Sequence, residues 1–318
     1  MPVFPKPTVA YTYNPDTQVG HLRAHKATRG IPAKSTTELL ICTWNIANFG
    51  AQKRRAEDRQ VIAEILSWFD ICVVQECREN FGDLVDVQQR LGDRYALLMS
   101  DVAGNDERMV YVYDKKKVSL LEEVGEIAFP PSQNKYVKLP GVTGTFDGFD
   151  RNPFIASFKL DDHLSATLVN VHLFYGSEKK ADIERRALET AAVARWAAKR
   201  NESSFGFARE VIALGDFNMP KPAADGGNIV YDALTKQGLV TPPHSSEIGS
   251  SIASDNHYDQ VAMFPGTTMN CFVQVGVFDY DAVIFPDLWQ NHSEGVFKGY
   301  LRYYMSDHRP LWVQMRIQ

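Results

Sequence analysis

The sequence predicts an α/β chain built as a four-layer α/β sandwich, in which two central, mostly antiparallel β-sheets pack face to face between outer helices. Three observations lead there. Apolar runs of strand length recur from Leu39 onward, several of them follow one another with no helix between, and helical spacing is confined to a few intervening stretches. A doubly wound parallel sheet needs a helix between successive strands, whereas consecutive strands suit two stacked sheets.

Taken in order, residues 1–37 hold five prolines and little periodicity, and read as a loosely ordered N-terminal extension. A single domain over 38–318 follows, with no linker inside it. LLICTWN is a buried strand that ends in polar residues. Val61, Ile62, Ile65 and Leu66 give residues 55–67 helical spacing, DICVVQE is a second buried strand, and 80–91 is again helical. RMVYVYD and KVSLLEE form a strand pair turning at 114–116. Residues 125–150, rich in Gly, Pro and Asp, form a long loop of the kind that carries function. NPFIASFKL and SATLVNVHL turn at 161–163. The strongest helix is 178–200, where Ile183, Ala187, Leu188, Ala191, Ala194 and Ala197 share a face. EVIALGDFN, YDQVAMF and RPLWVQMRI are the last strands.

Composition narrows the class. With 44% hydrophobic and 23% charged residues the chain is an ordinary globular one, and no window of 18 uninterrupted apolar residues predicts a membrane span. A net charge of −5 excludes a broadly basic, nucleic-acid-coating protein. It leaves a nuclease open, because carboxylates that bind a cation lower the formal charge. Cys42, Cys72, Cys77 and Cys271 show no zinc spacing, and three of them lie in or beside apolar runs. With no visible signal peptide or disulfide pattern, a reducing, cytoplasmic location is expected.

The chemistry gathers at strand ends. Four apolar strands close on polar clusters: Trp44-Asn45, Gln75-Glu76, Asn170-Val171-His172 and Gly215-Asp216-Phe217-Asn218. Tyr258-Asp259 opens another strand, and Ser306-Asp307-His308 precedes the last. Strand ends pointing the same way collect their side chains at one edge. Carboxylates with an Asn carbonyl suit a hard cation, two histidines supply protons or hydrogen bonds, and an Asp beside an Asn orients an attacking water. These parts serve in-line attack on a phosphodiester. Each piece alone also has a plain structural use: a turn residue, a satisfied histidine, an Asx turn. Their joint occurrence is what points to a site.

In order the chain reads WNIANFG, VVQECR, ERMVYVYDKKKVSLL, RNPFIASF, VNVHL, GDFN, YDQVAMF and SDHRPL, and over roughly 38–318 it resembles the endonuclease/exonuclease/phosphatase superfamily, within it the deoxyribonuclease I branch. The resemblance implies a divalent-metal-dependent phosphodiesterase using Mg²⁺ or Mn²⁺, with DNA as substrate and cleavage as an endonuclease. It implies Glu76 as principal metal ligand, assisted by Asn45 and Asp307. Asp216 orients or deprotonates the water and Asn218 binds phosphate. His308 acts on the scissile phosphate with Asp259 orienting it, and His172 is the second histidine with Glu107 as its partner. Arg78 and Arg151 match arginines that contact DNA, and a planar guanidinium suits phosphate. The Asp-rich stretch 147–150 offers a structural Ca²⁺ site, with a plain turn as its alternative. Where the branch carries a groove-stacking tyrosine this chain has Asn105, and the branch's disulfide cysteines are missing. RNA, a phospholipid or a small phosphorylated molecule therefore stand as alternative substrates. For a lipid, Trp289 and VFKGYLRYYM would supply an exposed aromatic hairpin. A non-catalytic binding domain is disfavoured because every expected site residue is present.

Overall fold

The computed structural model describes residues 3–222, 226–245 and 247–317. Its strands are β1 (Glu38–Phe49), β2 (Ile71–Cys77), β3 (Tyr95–Met99), β4 (Arg108–Asp114), β5 (Ser119–Glu126), β6 (Phe154–Lys159), β7 (Ser165–His172), β8 (Glu210–Asp216), β9 (Asp259–Met263), β10 (Phe272–Val277) and β11 (Leu311–Arg316). They form a six-stranded sheet ordered β10-β11-β1-β2-β4-β3 and a five-stranded sheet ordered β5-β6-β7-β8-β9. Among the described residues only β1–β2 and β7–β8 pair in parallel; the other strand pairs are antiparallel. The face-to-face α/β sandwich is the fold the sequence predicts.

The alternation along β1 shows how the layers arise. Leu39 and Ile41 enter the core between the sheets, with Val73, Phe158, Leu168, Leu214 and Val313. Leu40, Cys42, Trp44 and Ile46 point the other way, into a second core. Side chains alternate faces along a strand, so a strand covered on both faces reads as one unbroken apolar run. The outer core of the six-stranded sheet is closed by the helices Ala56–Ser67 and Glu294–Tyr304. On the five-stranded sheet Lys180–Asn201 buries Ala187, Leu188, Ala191, Ala194 and Ala197, the face expected from spacing, while Ile183 is only partly buried.

Four stretches depart from the sequence reading. Residues 15–28, within the expected loose extension, form the helix Pro15–Thr28. Asn14 caps it, Leu22 is fully buried, and Arg23 bonds Glu64 on the neighbouring helix at 2.7 Å. Pro15 occupies the first helical turn, where the missing N–H breaks no bond, so the proline starts the helix it had been read as preventing. The strands β3 and β10 and the helix Glu294–Tyr304 were not expected. In that helix Phe297, Tyr300, Leu301, Tyr303 and Tyr304 are buried, so VFKGYLRYYM is wall and core, not an exposed hairpin. Trp289 is half exposed and leans on Phe297 with ring centroids 5.1 Å apart. Among the described residues no helix is long and apolar enough to cross a membrane, and all four thiols are free.

Candidate active site

The two parallel pairs, one in each sheet, carry their C-terminal ends to the same edge. Asn45 lies in register with Gln75 on β2, and His172 with Asp216 and then Asp259 across β7, β8 and β9. Beneath them a buried polar tie joins the sheets: Gln75 Nε2 donates to Asn170 Oδ1 at 2.8 Å, and Asn170 Nδ2 to the Val74 carbonyl at 3.2 Å. Buried amides demand partners, so this tie fixes how the two strand-end clusters face each other.

Glu76 stands at φ +63° in a left-handed conformation that a glutamate rarely adopts, where the β1–β2 and β2–β4 registers slip. Such a backbone persists only when its surroundings hold it. Here Asn45 Nδ2 donates to one Glu76 oxygen at 3.0 Å and the Asn48 backbone N–H to the other at 2.8 Å. Asn45 Nδ2 also donates to Asp216 Oδ2 at 3.1 Å, joining the clusters of the two sheets. Gly215 permits the approach: its φ is +138°, and a Cβ there would meet the Val171 carbonyl oxygen at 2.2 Å.

Asp216 is the centre. His172 Nε2 and His308 Nε2 each lie 3.7 Å from its Oδ2. On the far side of each ring a carboxylate takes Nδ1: Glu107 Oε2 at 2.9 Å from His172, and Asp259 Oδ2 at 2.8 Å from His308. This fixes both rings with Nε2 directed inward. Asn218 donates its N–H to Asp216 Oδ1 at 2.8 Å and its side-chain amide to the Leu173 carbonyl at 2.8 Å. The Asx-turn reading and the site reading of that cluster are therefore compatible.

The electrostatics follow from burial against neighbours. Burial pushes Asp216 up, but His308, then His172, with hydrogen bonds from Asn218 and Asn45, hold it below the usual carboxylate range. Burial would lower His308, yet Asp259 and Asp216 lift it well above the ordinary imidazole value. Asp259 is itself raised by burial and by Asp216. Burial opposes ionisation of Glu107, but His172, Arg151 and Arg78 bring it down to about 2.

Four carboxylates and two histidines offer ligand atoms in two close sets, Glu76–Glu107–His172 and Asp216–Asp259–His308. In each set the imidazole already holds a carboxylate, so ion pairing accounts for the clustering. The residues that fit a hard cation better are Glu76, Asn45 and Asp307. Asn45 Oδ1 is buried without a hydrogen-bond partner. Asp307 is raised by burial and by Glu76 nearby, a repulsion that a divalent ion between oxygens relieves.

The two arginines are placed differently. Arg78 is 12% exposed along its side chain, donates through Nη2 to Asn48 Oδ1 at 2.8 Å, and stands 3.9 Å from Glu107. Arg151 is buried, and its guanidinium donates to the carbonyls of His172 at 2.7 Å and Leu173 at 2.8 Å while pairing with Asp150 at 3.0 Å. Its donors brace the end of β7 and do not face solvent as a phosphate contact would. Asn105 is an exposed residue at φ +64° in the tight turn before Glu107. In 147–150, Asp147 accepts from Thr145 Oγ1, and Asp150 is paired with Arg151 and Arg185. Those cations occupy the carboxylate that a Ca²⁺ would need.

Sequence reasoning missed Asn48, which holds Glu76 and Arg78 together, and Arg186, whose buried guanidinium donates to the carbonyls of Asn218, Tyr175 and Ser177. Asn48 sat in the WNIANFG motif and was recoverable from it. Arg186 carried no signal, because helical spacing places it among charged neighbours.

No family model matches the chain. Human deoxyribonuclease-1-like 1 is 25% identical over 304 residues, spanning 90% of this chain and 87% of that protein. An endonuclease/exonuclease/phosphatase family protein of Bacteroides thetaiotaomicron superposes with a TM-score of 0.59 at 18% identity, covering 89% of this chain and 98% of that one. A mannosyl-6-phosphatase of the same bacterium superposes with a TM-score of 0.58 at 17% identity, over 87% and 99%. The structural likenesses establish the fold.

Proposed function

We propose that this chain, similar over most of its length to a deoxyribonuclease-1-like protein and sharing the fold of endonuclease/exonuclease/phosphatase proteins, is a hydrolase of that superfamily's deoxyribonuclease I-like branch, a divalent-metal-dependent endonuclease that hydrolyses DNA phosphodiester bonds. The observation that carries this is the convergence of two imidazole Nε2 atoms, 3.7 Å each, on the one oxygen Asp216 Oδ2.

In this reading Asp216 accepts the proton of the attacking water. Its anionic form is kept by the two imidazoles and by Asn45. Asn218 and the histidines face the phosphoryl oxygens, where charge builds during in-line displacement. Glu76, Asn45 and Asp307 would hold the cation; Mg²⁺ or Mn²⁺ bound there supplies Lewis-acid neutralisation of the phosphate. Arg78, at the rim, adds positive charge for the backbone of the substrate. Similarity to a deoxyribonuclease over most of the chain supports DNA over the other substrates of this fold.

The test is nicking of supercoiled plasmid with Mg²⁺ or Mn²⁺, beside the Asp216→Ala variant. Metal-dependent nicking that the variant lacks is expected. Intact plasmid, together with turnover of a small phosphodiester, would move the substrate to RNA or a smaller molecule.

A further inference from the structure

One cleft beside the catalytic edge is used by none of the steps above. It has a volume of about 330 Å³ and is lined by Met219, Tyr231, His244, Asn256, His257 and Gln260, among others. It abuts the site directly. Met219 follows Asn218 and bonds the Tyr258 carbonyl through its N–H at 3.3 Å. Asn256 Nδ2 donates to Tyr258 OH at 2.7 Å, and the Tyr258 ring lies 5.9 Å from that of His308.

Its chemistry is that of a neutral polar ligand. The His244 and His257 rings meet edge to face at 4.8 Å. Both Nδ1 atoms, and Asn256 Oδ1 beside them, are buried without a hydrogen-bond partner. Buried polar atoms without partners are costly, so these side chains gain from the hydrogen bonds a ligand brings. Met219, Pro220 and the Tyr231 ring add apolar surface to the lining. Burial, with the neighbouring His257, brings His244 down to about 4, and burial lowers His257 against the opposing pull of Asp255 and a hydrogen bond to the Glu247 backbone, so both imidazoles are biased toward the neutral form. Lys221, the one lysine or arginine among the described residues that line the cleft, is tied to Asp255. Donors and acceptors biased to the neutral form, in a lining that also holds apolar surface and an aromatic ring, do not suit a phosphate; they suit a planar heterocycle, which stacks on a face and hydrogen-bonds at its edge. Ligand sites span roughly 300–1,000 Å³, so this cleft takes a single ring system and not a duplex.

We propose that this cleft is a nucleobase subsite: it receives one base flanking the scissile phosphate, and His244, His257 and Asn256 read its edge. The inference rests on the nucleic-acid reading above and extends it to base preference.

The experiment compares wild type, His244→Leu and His257→Leu on two substrates with metal present. One is a set of short oligodeoxynucleotides varied at the bases flanking one cleavable bond; the other is bis(p-nitrophenyl) phosphate, which has no base. Leucine keeps apolar volume, and thermal unfolding checks the fold. Expected is a roughly tenfold fall in kcat/KM on oligonucleotides, carried by KM, with flattened base preference. Turnover of bis(p-nitrophenyl) phosphate stays within about twofold. Unchanged base preference and KM in both variants overturn the subsite alone. Equal losses on both substrates overturn it as well, since the residues would then serve the site's structure. A wild type that turns over bis(p-nitrophenyl) phosphate but cuts no oligonucleotide removes the nucleic-acid reading and the subsite with it.

Discussion

The two imidazoles at the centre of the site are held alike and surrounded differently. Each offers Nδ1 to a carboxylate, at 2.9 Å for His172 and 2.8 Å for His308, and each directs Nε2 to Asp216 at 3.7 Å. The carboxylates differ in company. Glu107 comes from the six-stranded sheet's side, and besides His172 it has Arg78 and Arg151 at 3.9 Å each. Asp259 lies on β9, the strand paired with that of Asp216, and among the described residues its one ion-pair partner is His308. The negative field at His172 is therefore shared with two guanidinium groups, while that at His308 is not. Matching distances do not give matching surroundings; because Asp259 and Asp216 lift His308 well above the ordinary imidazole value, so that it carries a proton at neutral pH, we propose it as the proton donor to the leaving oxygen, with His172 as a hydrogen-bond brace.

The largest effect should come from the residue the two halves share. Asp216→Asn keeps shape and removes the acceptor of the water's proton. A fall in kcat of roughly a thousandfold or more is expected, with the fold retained by circular dichroism. Turnover within tenfold of wild type would detach Asp216 from the chemistry.

Next comes the asymmetry. His308→Ala and His172→Ala should each lower kcat on DNA by about a hundredfold to ten-thousandfold. They part company when the leaving group no longer needs a proton. On a p-nitrophenyl phosphodiester the His308→Ala deficit should shrink at least about tenfold, and that of His172→Ala should not. Equal rescue of both variants, or rescue of His172→Ala alone, breaks the assignment.

These contrasts divide cleanly by what a sequence carries. Strand ends were legible because alternation along β1, β2, β7 and β8 fixes which residue stands last, and a polar residue closing an apolar run is conspicuous. Glu76, Asp216 and His172 were found that way. Asp259 and His308 stood out as polar residues opening or preceding a strand, Glu107 came from motif resemblance alone, and the structure sets Glu107 2.9 Å from His172 and Asp259 2.8 Å from His308. The environment of each pair was not legible. Arg151 was expected to face phosphate, yet it is buried beneath β7, because a guanidinium with several backbone carbonyls to bond is as well satisfied inside as out. The helix Pro15–Thr28 was missed because its buried face is short, Gln18, Val19 and Leu22, and its docking depends on distant partners: Glu64 for Arg23, Asp279 for His25 and Arg29.

The acid behaviour of Glu107 sharpens the comparison further. Its value in the folded chain is about 2, against an ordinary 4.5, so the folded state favours the anion. Stability from this source is complete above about pH 4.5 and is lost as pH falls toward 2. It should amount to something on the order of 3 kcal/mol. Glu107→Gln should flatten the fall of the thermal midpoint across that window, with pH 7 as reference. An unaltered slope in the variant means that the three cations do not hold Glu107 as described.

The smallest effect tests the cation that reaches the rim. Arg151 is committed to carbonyls and Asp150, whereas Arg78 keeps part of its side chain exposed while one nitrogen bonds Asn48. Arg78→Ala should weaken DNA binding by a factor of about three to ten and reduce the slope of log affinity against log salt by about one. Because Asn48 also holds Glu76 through its backbone N–H, and not through the amide that meets Arg78, kcat at saturating DNA should change little. A fall in kcat with the salt slope unchanged would make Arg78 a brace of the metal-side cluster, the role that Arg151 plays for β7, and would leave the phosphate contacts to be sought elsewhere on the rim.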